Sequence, residues 1–427
     1  MTRNLLLITL TFSSFMLADQ ATAQNKVIHI EGKGPAYIEP PTKDPSYRLM
    51  GEFVGEIKVG ENESETLGLQ LRPMGKSNFQ AQAFQGGLPG QEKHQPEAVQ
   101  MIGQRSEDFL ILSGGPWVII VEKDSCVLLD RKGEKIGKLE RLQRSSPTMG
   151  GSPPAYATVL FDGSNVDHFT KAEISKDGLL MQGADVKPMF QDFNLHAEFR
   201  LPYMPEADGQ SRGNSGLYLQ SRYECQVLDS FGLEPLFNGL GSLYRFRKPD
   251  LNMCLPPLVW QTYDVQFTAP RWNSDGTKLR NAHITSWING VKVQDDVSLP
   301  NKTGAGKEEQ PVLLPSRFQD HGDPVRYRNI WIVDRGLHIG EFPIIPTAEE
   351  IAAVAKAKQE KKEQAEAAKK QKEAARKEAK MKAAEQKKAA EQKAAAEKAK
   401  ADQEPVEAAV ETAGTEDESA ATGAKAD

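Results

Sequence analysis

Two polar side chains on one short predicted strand are the first residues in this sequence that point to chemistry. In the run Tyr223-Glu224-Cys225-Gln226-Val227, the alternation of apolar and polar types predicts a β-strand. Successive side chains of a strand point to opposite faces, so Glu224 and Gln226 share one face and lie about 7 Å apart. A carboxylate beside an amide can accept a proton and hold a polar ligand. A solvent-facing pair on an outer strand has the same pattern, and the residues alone leave both interpretations open.

Asp229 and His321 are two further candidates, and each lies just beyond a predicted strand. The Asp229 carboxylate has the chemistry to bind a metal ion or a hydroxyl group, and it equally suits an Asx turn. His321 is followed by Gly322, which lets the chain turn away and leaves the imidazole exposed. The alternative for His321 is a turn residue that hydrogen-bonds to a neighbouring carbonyl group. Histidine, or a glutamate with a raised pKa, is the usual general base near neutral pH.

A second set of side chains is suited to holding a polar ligand. Arg326 alternates with apolar neighbours and is expected to face out of the core, where a guanidinium binds a hydroxyl group or a developing oxyanion. Asn329 offers the same kind of contact. Tyr244 and Trp260 provide flat faces on which a ring can stack, although such aromatic residues more often belong to a core.

The cofactor prediction rests on residue types, without a local motif. Glu224, Asp229 and His321 are types that bind a divalent metal ion, so such an ion is one expectation for this set. However, the sequence has no H-x-x-x-H or H-E-x-x-H metal motif. It also has no Walker loop and no dinucleotide-binding loop.

The composition excludes several classes of protein. A net charge of −6 argues against a general nucleic-acid binder, which needs a basic surface. Three cysteines in 427 residues exclude a disulfide scaffold and an all-cysteine zinc site. Cys225 and Cys254 would pair in an oxidising compartment and leave Cys126 over, and three buried free thiols are the alternative.

The first 23 residues have the organisation of a cleaved secretory signal. Arg3 supplies the positive charge, and Leu5 to Leu17 form an apolar run broken only by Thr and Ser. Ala21-Thr22-Ala23 then matches the small-x-small pattern of a cleavage site. A membrane anchor would need roughly 20 apolar residues, and no later stretch has them either. We therefore expect a secreted or periplasmic protein, cleaved near Ala23.

Strand patterns divide the rest of the folded chain into two parts. Residues 45–143 contain short alternating runs separated by turn signals, which predict a small antiparallel β domain. Residues 144–157 are rich in Ser, Pro and Gly and predict a linker. Residues 158–345 contain longer alternating runs, such as Phe193 to Leu201, with almost no helical period. This pattern predicts an all-β domain that folds as a two-sheet sandwich or jelly roll.

Residues 347–427 form a low-complexity segment of Ala, Lys, Glu and Gln. These are strong helix formers, but there is no apolar stripe for a coiled-coil seam, so a solvated, partly helical or disordered tail is expected. Two interpretations remain open. The tail is a spacer without a specific partner, or its basic part attaches the protein to an anionic surface such as an envelope polymer.

An ordered set of motifs in the main domain resembles a known family. The motifs are Leu160 to Gly163, Gly213 to Gln220, Tyr223 to Ser230, Trp260 to Tyr263, Trp287 to Gly290, Gln319 to Gly322 and Arg326 to Ile332. In this order and spacing they resemble the 3-keto-disaccharide hydrolase domain, over residues 155–340. Two features depart from the family pattern: Cys225 stands where Val is usual, and residues 303–310 are a long insert beside a predicted rim.

The resemblance implies a concanavalin-like jelly roll and a carbohydrate substrate. It further implies catalytic roles for Glu224, His321 and Asp229. Whether a metal ion is present stays open; if one is, these three residues would be its ligands. The substrate-binding residues it implies are Gln226, Tyr244, Trp260, Arg326 and Asn329. The ketone at C3 of such a sugar acidifies the hydrogen on C2, so a general base removes it and the enolate expels the C1 substituent. The alternative is a carbohydrate-binding or cell-surface protein on the same fold, without turnover.

Overall fold

The structure is a computed structural model that describes residues 27–107, 109–338 and scattered positions between 356 and 372. The predicted signal sequence, residues 1–23, lies outside the described residues, as does most of the predicted tail. The tail positions that are described are helical and exposed. No helix within the described part of the chain has the length and apolar character needed to cross a membrane.

A short hairpin and one helical turn precede the first large body. These elements are β1 (Val27–Ile30), β2 (Gly34–Tyr37) and α1 (Pro45–Leu49). The Asp44 carboxylate caps the helix by accepting the Ser46 N–H at 2.8 Å, and Pro45 occupies the first helical position. Both are standard N-terminal helix signals, so this turn is specified locally.

The small β domain is a closed antiparallel barrel of eight strands. Its strands are β3 (Gly51–Lys58), β4 (Ser64–Pro73), β5 (Asn78–Gln85), β6 (Ala98–Ser106), β7 (Phe109–Ser113), β8 (Val118–Val121), β9 (Ser125–Leu129) and β10 (Lys135–Leu142). β10 pairs with β3 and closes the barrel. Leu67, Leu69 and Leu71 point inward and are fully buried, as strict alternation requires.

Two antiparallel sheets form the main domain. The larger contains β11 (Thr158–Phe161), β13 (Leu180–Met181), β15 (Phe193–Arg200), β18 (Trp260–Thr268), β21 (Ala282–Ile288), β22 (Val291–Leu299) and β24 (Arg326–Asp334). The smaller contains β12 (Phe169–Lys171), β14 (Ala184–Val186), β16 (Ser215–Leu219), β17 (Tyr223–Val227) and β23 (Arg317–Phe318). The remaining elements are the hairpin β19 (Arg271–Trp272) and β20 (Lys278–Arg280), a 3-10 turn over Gly209–Ser211 and α2 (Arg335–His338).

The core of the sandwich lies between the two sheets. Phe199 and Tyr263 from the larger sheet and Leu217 and Tyr223 from the smaller one belong to the same buried cluster. The all-β sandwich predicted from the sequence is therefore confirmed. The cysteines are present as free, buried thiols, so the pairing of Cys225 with Cys254 is not formed.

The predicted linker, residues 144–157, is bound to the outer face of the larger sheet. Ser146 Oγ lies 2.6 Å from Thr262 Oγ1, and Thr148 Oγ1 donates to Asp264 Oδ2 at 2.8 Å. The Gly150 N–H donates to Glu198 Oε1 at 2.7 Å. Barrel and sandwich belong to one compact unit, and the Arg212 guanidinium donates to the carbonyl of Pro73 in the barrel.

Candidate functional site

Two rows of polar residues cross the outer face of the smaller sheet. β16 and β17 contribute one residue each to a row, and the third residue comes from β23 or, for Gln319, from the position directly after it. The rows are Arg317, Tyr218 and Glu224, and Gln319, Gly216 and Gln226. The residues between them along each strand, such as Leu217 and Cys225, point into the core. We call this face the polar groove, and alternation alone puts its side chains together.

Glu224 is the central carboxylate of the polar groove and is only 3% exposed. Burial raises its pKa above the usual range of a glutamic acid. Hydrogen bonds from the Tyr218 hydroxyl and the Ala305 N–H, and the charge of Arg317, act in the opposite direction without cancelling the effect. A carboxylate with a raised pKa is better suited to take up a proton near neutral pH.

The insert at residues 303–310 forms one wall around this carboxylate. Thr303 Oγ1 accepts the Glu224 N–H at 2.7 Å. Gly304 has a φ of +56°, and a Cβ at this position would lie 2.1 Å from Glu224 Oε2 and 2.9 Å from Tyr244 Cδ1. Only glycine allows the backbone to approach so closely. Glu309 accepts a hydrogen bond from Tyr223 and pairs with Lys278, which anchors the far end of the insert.

Three amide oxygens in and beside the polar groove are buried without a hydrogen-bond partner among the residues that the structure describes. They are Asn214 Oδ1, Gln226 Oε1 and Gln319 Oε1. A Cβ on Gly216 would lie 3.2 Å from both Gln319 Oε1 and Glu224 Oε1, so the glycine leaves space between these two oxygens. Buried polar groups are nearly always satisfied, so these acceptors have room for a donor from a bound water molecule or from a ligand with hydroxyl or N–H groups.

The structure brings three of the predicted site residues together. Glu224 and Gln226 share the polar groove, and the Tyr244 N–H donates to the carbonyl of Glu224 at 3.0 Å. His321 is exposed, two residues beyond Gln319, and its carbonyl accepts from the Lys33 ammonium at 3.3 Å. The catalytic role assigned to His321 stays a prediction.

Asp229 is already engaged by a buried cation. Its Oδ2 accepts from Arg212 Nε at 2.6 Å, and both side chains are 1% exposed. Within the described residues, no group of three or more His, Cys, Asp or Glu side chains could hold a metal ion. Glu224, Asp229 and His321 therefore do not form the metal-ligand set considered from the sequence.

The other three predicted substrate-binding residues belong to the larger sheet. Trp260 lies under the Arg328 guanidinium, 4.0 Å from its ring centroid. Arg326 donates to Gln182 Oε1, and Asn329 Nδ2 donates to Glu198 Oε1 at 2.9 Å. These side chains face away from the core on the sheet opposite the polar groove, so Trp260, Arg326 and Asn329 do not join Glu224.

Tyr218 and Arg317 are groove residues that the sequence reasoning did not single out. Arg317 lies 4.5 Å from the centroid of the Tyr218 ring, and its Nε has no hydrogen-bond partner. Gln319 Nε2 donates weakly to the Tyr218 hydroxyl at 3.4 Å. The alternation in Gly216-Leu217-Tyr218 is a sequence signal for Tyr218: because Leu217 points into the core, Tyr218 points to the outer face, where it lies opposite Glu224. Arg317 pairs across strands of distant sequence, so only the register reveals it.

The run Gly209 to Gly213 has the G-x-S-x-G spacing of a hydrolase nucleophile turn. In the structure, Gly209–Ser211 form a 3-10 turn, and Ser211 is exposed. That motif requires a sharp strand-to-helix turn that presents the serine. This spacing therefore lacks the structural context of a nucleophile.

Comparison with known proteins gives one family match and several structural matches. Residues 156–333 match the family model described as a 3-keto-alpha-glucoside-1,2-lyase-like domain. A solved protein of Parabacteroides distasonis ATCC 8503, provisionally named a glycosyl hydrolase, is 31% identical; the alignment covers 43% of this chain and 85% of that chain, with a TM-score of 0.40. A second, with the same provisional name and organism, is 19% identical over 42% of this chain and 93% of its own, with a TM-score of 0.30. No curated protein matches the chain.

Proposed function

Because residues 156–333 belong to the family of 3-keto-alpha-glucoside-1,2-lyase-like domains, we propose that the protein cleaves glycosides whose sugar carries a ketone at C3. The observation that carries this proposal is Glu224, a buried carboxylate with a raised pKa in a groove lined by unsatisfied amide oxygens. Such a carboxylate is suited to removing a carbon-bound proton, and the amides are suited to holding hydroxyl groups.

Glu224 acts as the general base in this proposal. The C3 ketone makes the hydrogen on C2 acidic, and Glu224 takes this proton while the electron pair moves toward the ketone oxygen. The enolate then collapses and breaks the bond from C1 to its substituent, which leaves as an alcohol after taking a proton from water. Water adds back across the C1–C2 double bond, with the hydroxyl on C1 and a solvent proton on C2.

Arg317 stabilises the enolate oxygen. Its guanidinium lies beside Tyr218 in the same row as Glu224, and its Nε has no partner. Negative charge that develops on the C3 oxygen during proton removal is stabilised by a fixed cation in a largely buried site. Gln226, Gln319 and Asn214 accept hydrogen bonds from the remaining sugar hydroxyls, which orients C2 toward Glu224.

The test compares 4-nitrophenyl 3-keto-glucoside with 4-nitrophenyl glucoside, in H2O and in D2O. We expect release of nitrophenol only from the keto substrate, with deuterium at C2 of the released keto sugar. Free keto sugar incubated with Glu224→Gln protein in D2O controls for spontaneous exchange. Equal cleavage of the unoxidised glucoside, or a product without deuterium at C2, would show ordinary glycoside hydrolysis. Binding of the keto substrate without any turnover would instead support a binding protein on the same fold.

We also propose that the protein acts outside the cytoplasm. The support is the organisation of residues 1–23, with Arg3, the apolar run from Leu5 to Leu17 and the site near Ala23. N-terminal sequencing of the protein recovered from a bacterial host's periplasm or medium should begin at about Gln24. Recovery of uncleaved protein from the cytoplasm alone would contradict the proposal.

A further inference from the structure

A second groove lies on the outer face of the larger sheet, opposite the polar groove across the sandwich core. It encloses about 290 Å³. The residues that line it include two tryptophans, one tyrosine and three polar side chains: Trp287, Trp331, Tyr156, Asn194, Asp264 and Gln266. We call it the aromatic trough. The named lining residues lie within the family match, but the proposed catalytic chemistry does not use them.

The register of four neighbouring strands aligns the aromatic trough. Trp331 on β24 lies opposite His196 on β15, His196 opposite Asp264 on β18, and Asp264 opposite Trp287 on β21. Three strand spacings therefore separate the backbones of the two tryptophans, a distance of about 14 Å. This distance exceeds the length of one sugar ring, so an extended ligand of more than one unit would span it.

The aromatic trough is preformed. The His196 ring stacks on Trp331 with centroids 5.0 Å apart, and the Trp331 indole N–H donates to the carbonyl of Gly151 at 3.4 Å. His196 Nδ1 lies 2.6 Å from Asp264 Oδ1, and Thr148 holds the other Asp264 oxygen. These contacts fix the side chains on one side of the groove before any ligand arrives, which lowers the entropic cost of binding.

The chemistry of the lining favours a neutral polyhydroxy ligand. Tyr156 is 56% exposed and offers a flat apolar face beside the two half-buried tryptophans. Asn194 Oδ1 is buried in the floor without a hydrogen-bond partner, so it requires a donor. Among the described residues, no lysine or arginine lines the aromatic trough. Lys292, which lies opposite Trp287 on the next strand, pairs with Asp295. An anionic polymer would find no partner for its charge.

We propose that the aromatic trough is a second, non-catalytic site that binds a neutral hexose chain. Sugar rings stack on the faces of Trp287 and Tyr156, and a hydroxyl group donates to Asn194 Oδ1. Aromatic platforms with a few polar contacts are a general solution for amphipathic rings, whose one face is apolar and whose edge is polar. The site requires no ketone and no turnover, so it does not depend on the proposed function.

The test is isothermal titration calorimetry of the full-length protein with maltohexaose, cellohexaose and β-1,4-mannohexaose. We expect saturable binding of at least one of them, weakened tenfold or more by Trp287→Ala and by Tyr156→Ala. Tyr156→Ala removes a largely exposed side chain, so it keeps the test valid if Trp287→Ala fails to fold. Trp272→Ala is the matched control, because Trp272 is another half-buried tryptophan outside the trough and should leave the Kd unchanged.

Binding of the hexasaccharide at the aromatic trough should be independent of turnover at Glu224. Turnover of 4-nitrophenyl 3-keto-glucoside should be the same in Tyr156→Ala and wild-type protein, and Glu224→Gln should bind the hexasaccharide with wild-type Kd. Absence of binding to all three hexasaccharides would overturn the proposal. So would a Kd that neither Trp287→Ala nor Tyr156→Ala changes. A Kd weakened by Glu224→Gln would locate the binding in the polar groove and would also overturn it.

Discussion

Two glutamates on opposite faces of the sandwich are buried to a similar extent, but their pKa values are shifted in opposite directions. Glu224 on the smaller sheet is 3% exposed, and burial raises its pKa. Glu198 on the larger sheet is 1% exposed, and burial acts on it in the same direction. Hydrogen bonds from Asn329, Arg328 and the Gly150 N–H nevertheless lower its pKa.

The difference is in the partners that surround each carboxylate. Three donors, the Gly150 N–H, Arg328 Nε and Asn329 Nδ2, hydrogen-bond to Glu198 at 2.7 to 2.9 Å, and together they stabilise its charged form. Around Glu224, the Gln226 and Gln319 amide oxygens and Arg317 Nε have no hydrogen-bond partner in the described part of the chain. A buried carboxylate that accepts hydrogen bonds from several protein donors stabilises the structure. A buried carboxylate with a raised pKa, next to polar groups without partners, is a candidate ligand-binding or catalytic group. Comparing the two faces therefore separates a structural site from a candidate active site.

The largest effect is expected from Glu224→Gln, tested against Glu198→Gln. Loss of the general base should lower kcat for the 3-keto substrate by about 100- to 10,000-fold. Glu198→Gln should keep kcat within a few fold, because that carboxylate touches only the linker and its own sheet. Steady-state kinetics of both folded variants decide the matter. Near-normal turnover by Glu224→Gln would remove Glu224 from the mechanism.

Gly304→Ala tests whether the insert must approach Glu224 as closely as the structure shows. The added Cβ would lie 2.1 Å from Glu224 Oε2, so the carboxylate has to move, and we expect kcat/KM to fall by about 100-fold. Gly276→Ala is the matched control, because its φ of +82° is equally unfavourable for alanine but nothing lies within 4 Å of its Cβ. If both variants lose the same activity, backbone strain rather than displacement of Glu224 is responsible.

For stability we expect the opposite ranking: Glu198→Gln should destabilise the fold more than Glu224→Gln does. Glu198→Gln replaces an acceptor of three hydrogen bonds with a group that is half donor, and we expect it to lower the free energy of unfolding by about 2–4 kcal/mol. Glu224→Gln should cost less than this, since it removes a charge that burial disfavours. Urea denaturation at neutral pH measures both. A smaller loss for Glu198→Gln than for Glu224→Gln would contradict the distinction drawn here.

The smallest expected effect is the pH dependence of that stability. The folded-state pKa of Glu224 is raised, so the folded protein binds more protons than the unfolded chain between the two pKa values. Its contribution to the free energy of unfolding therefore falls as pH rises through this window. Melting temperatures from pH 4 to 8 should show wild type losing stability relative to Glu224→Gln as pH rises. A constant difference would mean that the pKa of Glu224 is not raised. In kinetics, kcat/KM should fall as pH drops through the raised pKa.

Local patterns predicted much of the fold. Strict alternation in Phe193 to Leu201 and Leu67 to Leu71 placed those strands and their buried faces correctly, because side-chain period is a property of each strand alone. Closure of the barrel depends on β10 meeting β3, residues distant in sequence, and no local signal encodes that pairing.

The candidate site was predicted only in part, because alternation within a strand is a local signal and pairing between distant strands is not. Glu224 and Gln226 lie on one strand, so alternation was sufficient to place them on one face. Arg317 joins them through strand pairing over about a hundred residues of chain. Asn329 was predicted to bind the same ligand, but it lies on the outer face of the larger sheet. An outward-facing arginine or asparagine looks the same in sequence on either sheet, and only the topology assigns it to one.

The attachment of the linker to the larger sheet has a consequence for where this domain begins. Similarity to the family starts at residue 156, yet Gly150 and Thr148 supply hydrogen bonds that Glu198 and Asp264 require. A fragment that starts at the boundary of similarity would deprive the buried Glu198 and the partly exposed Asp264 of these donors and would expose both to water. The unit that folds thus extends at least ten residues upstream, to Ser146, beyond the unit that is recognisably shared with relatives. In this protein, the segment shared with the family and the segment needed for folding therefore begin at different residues.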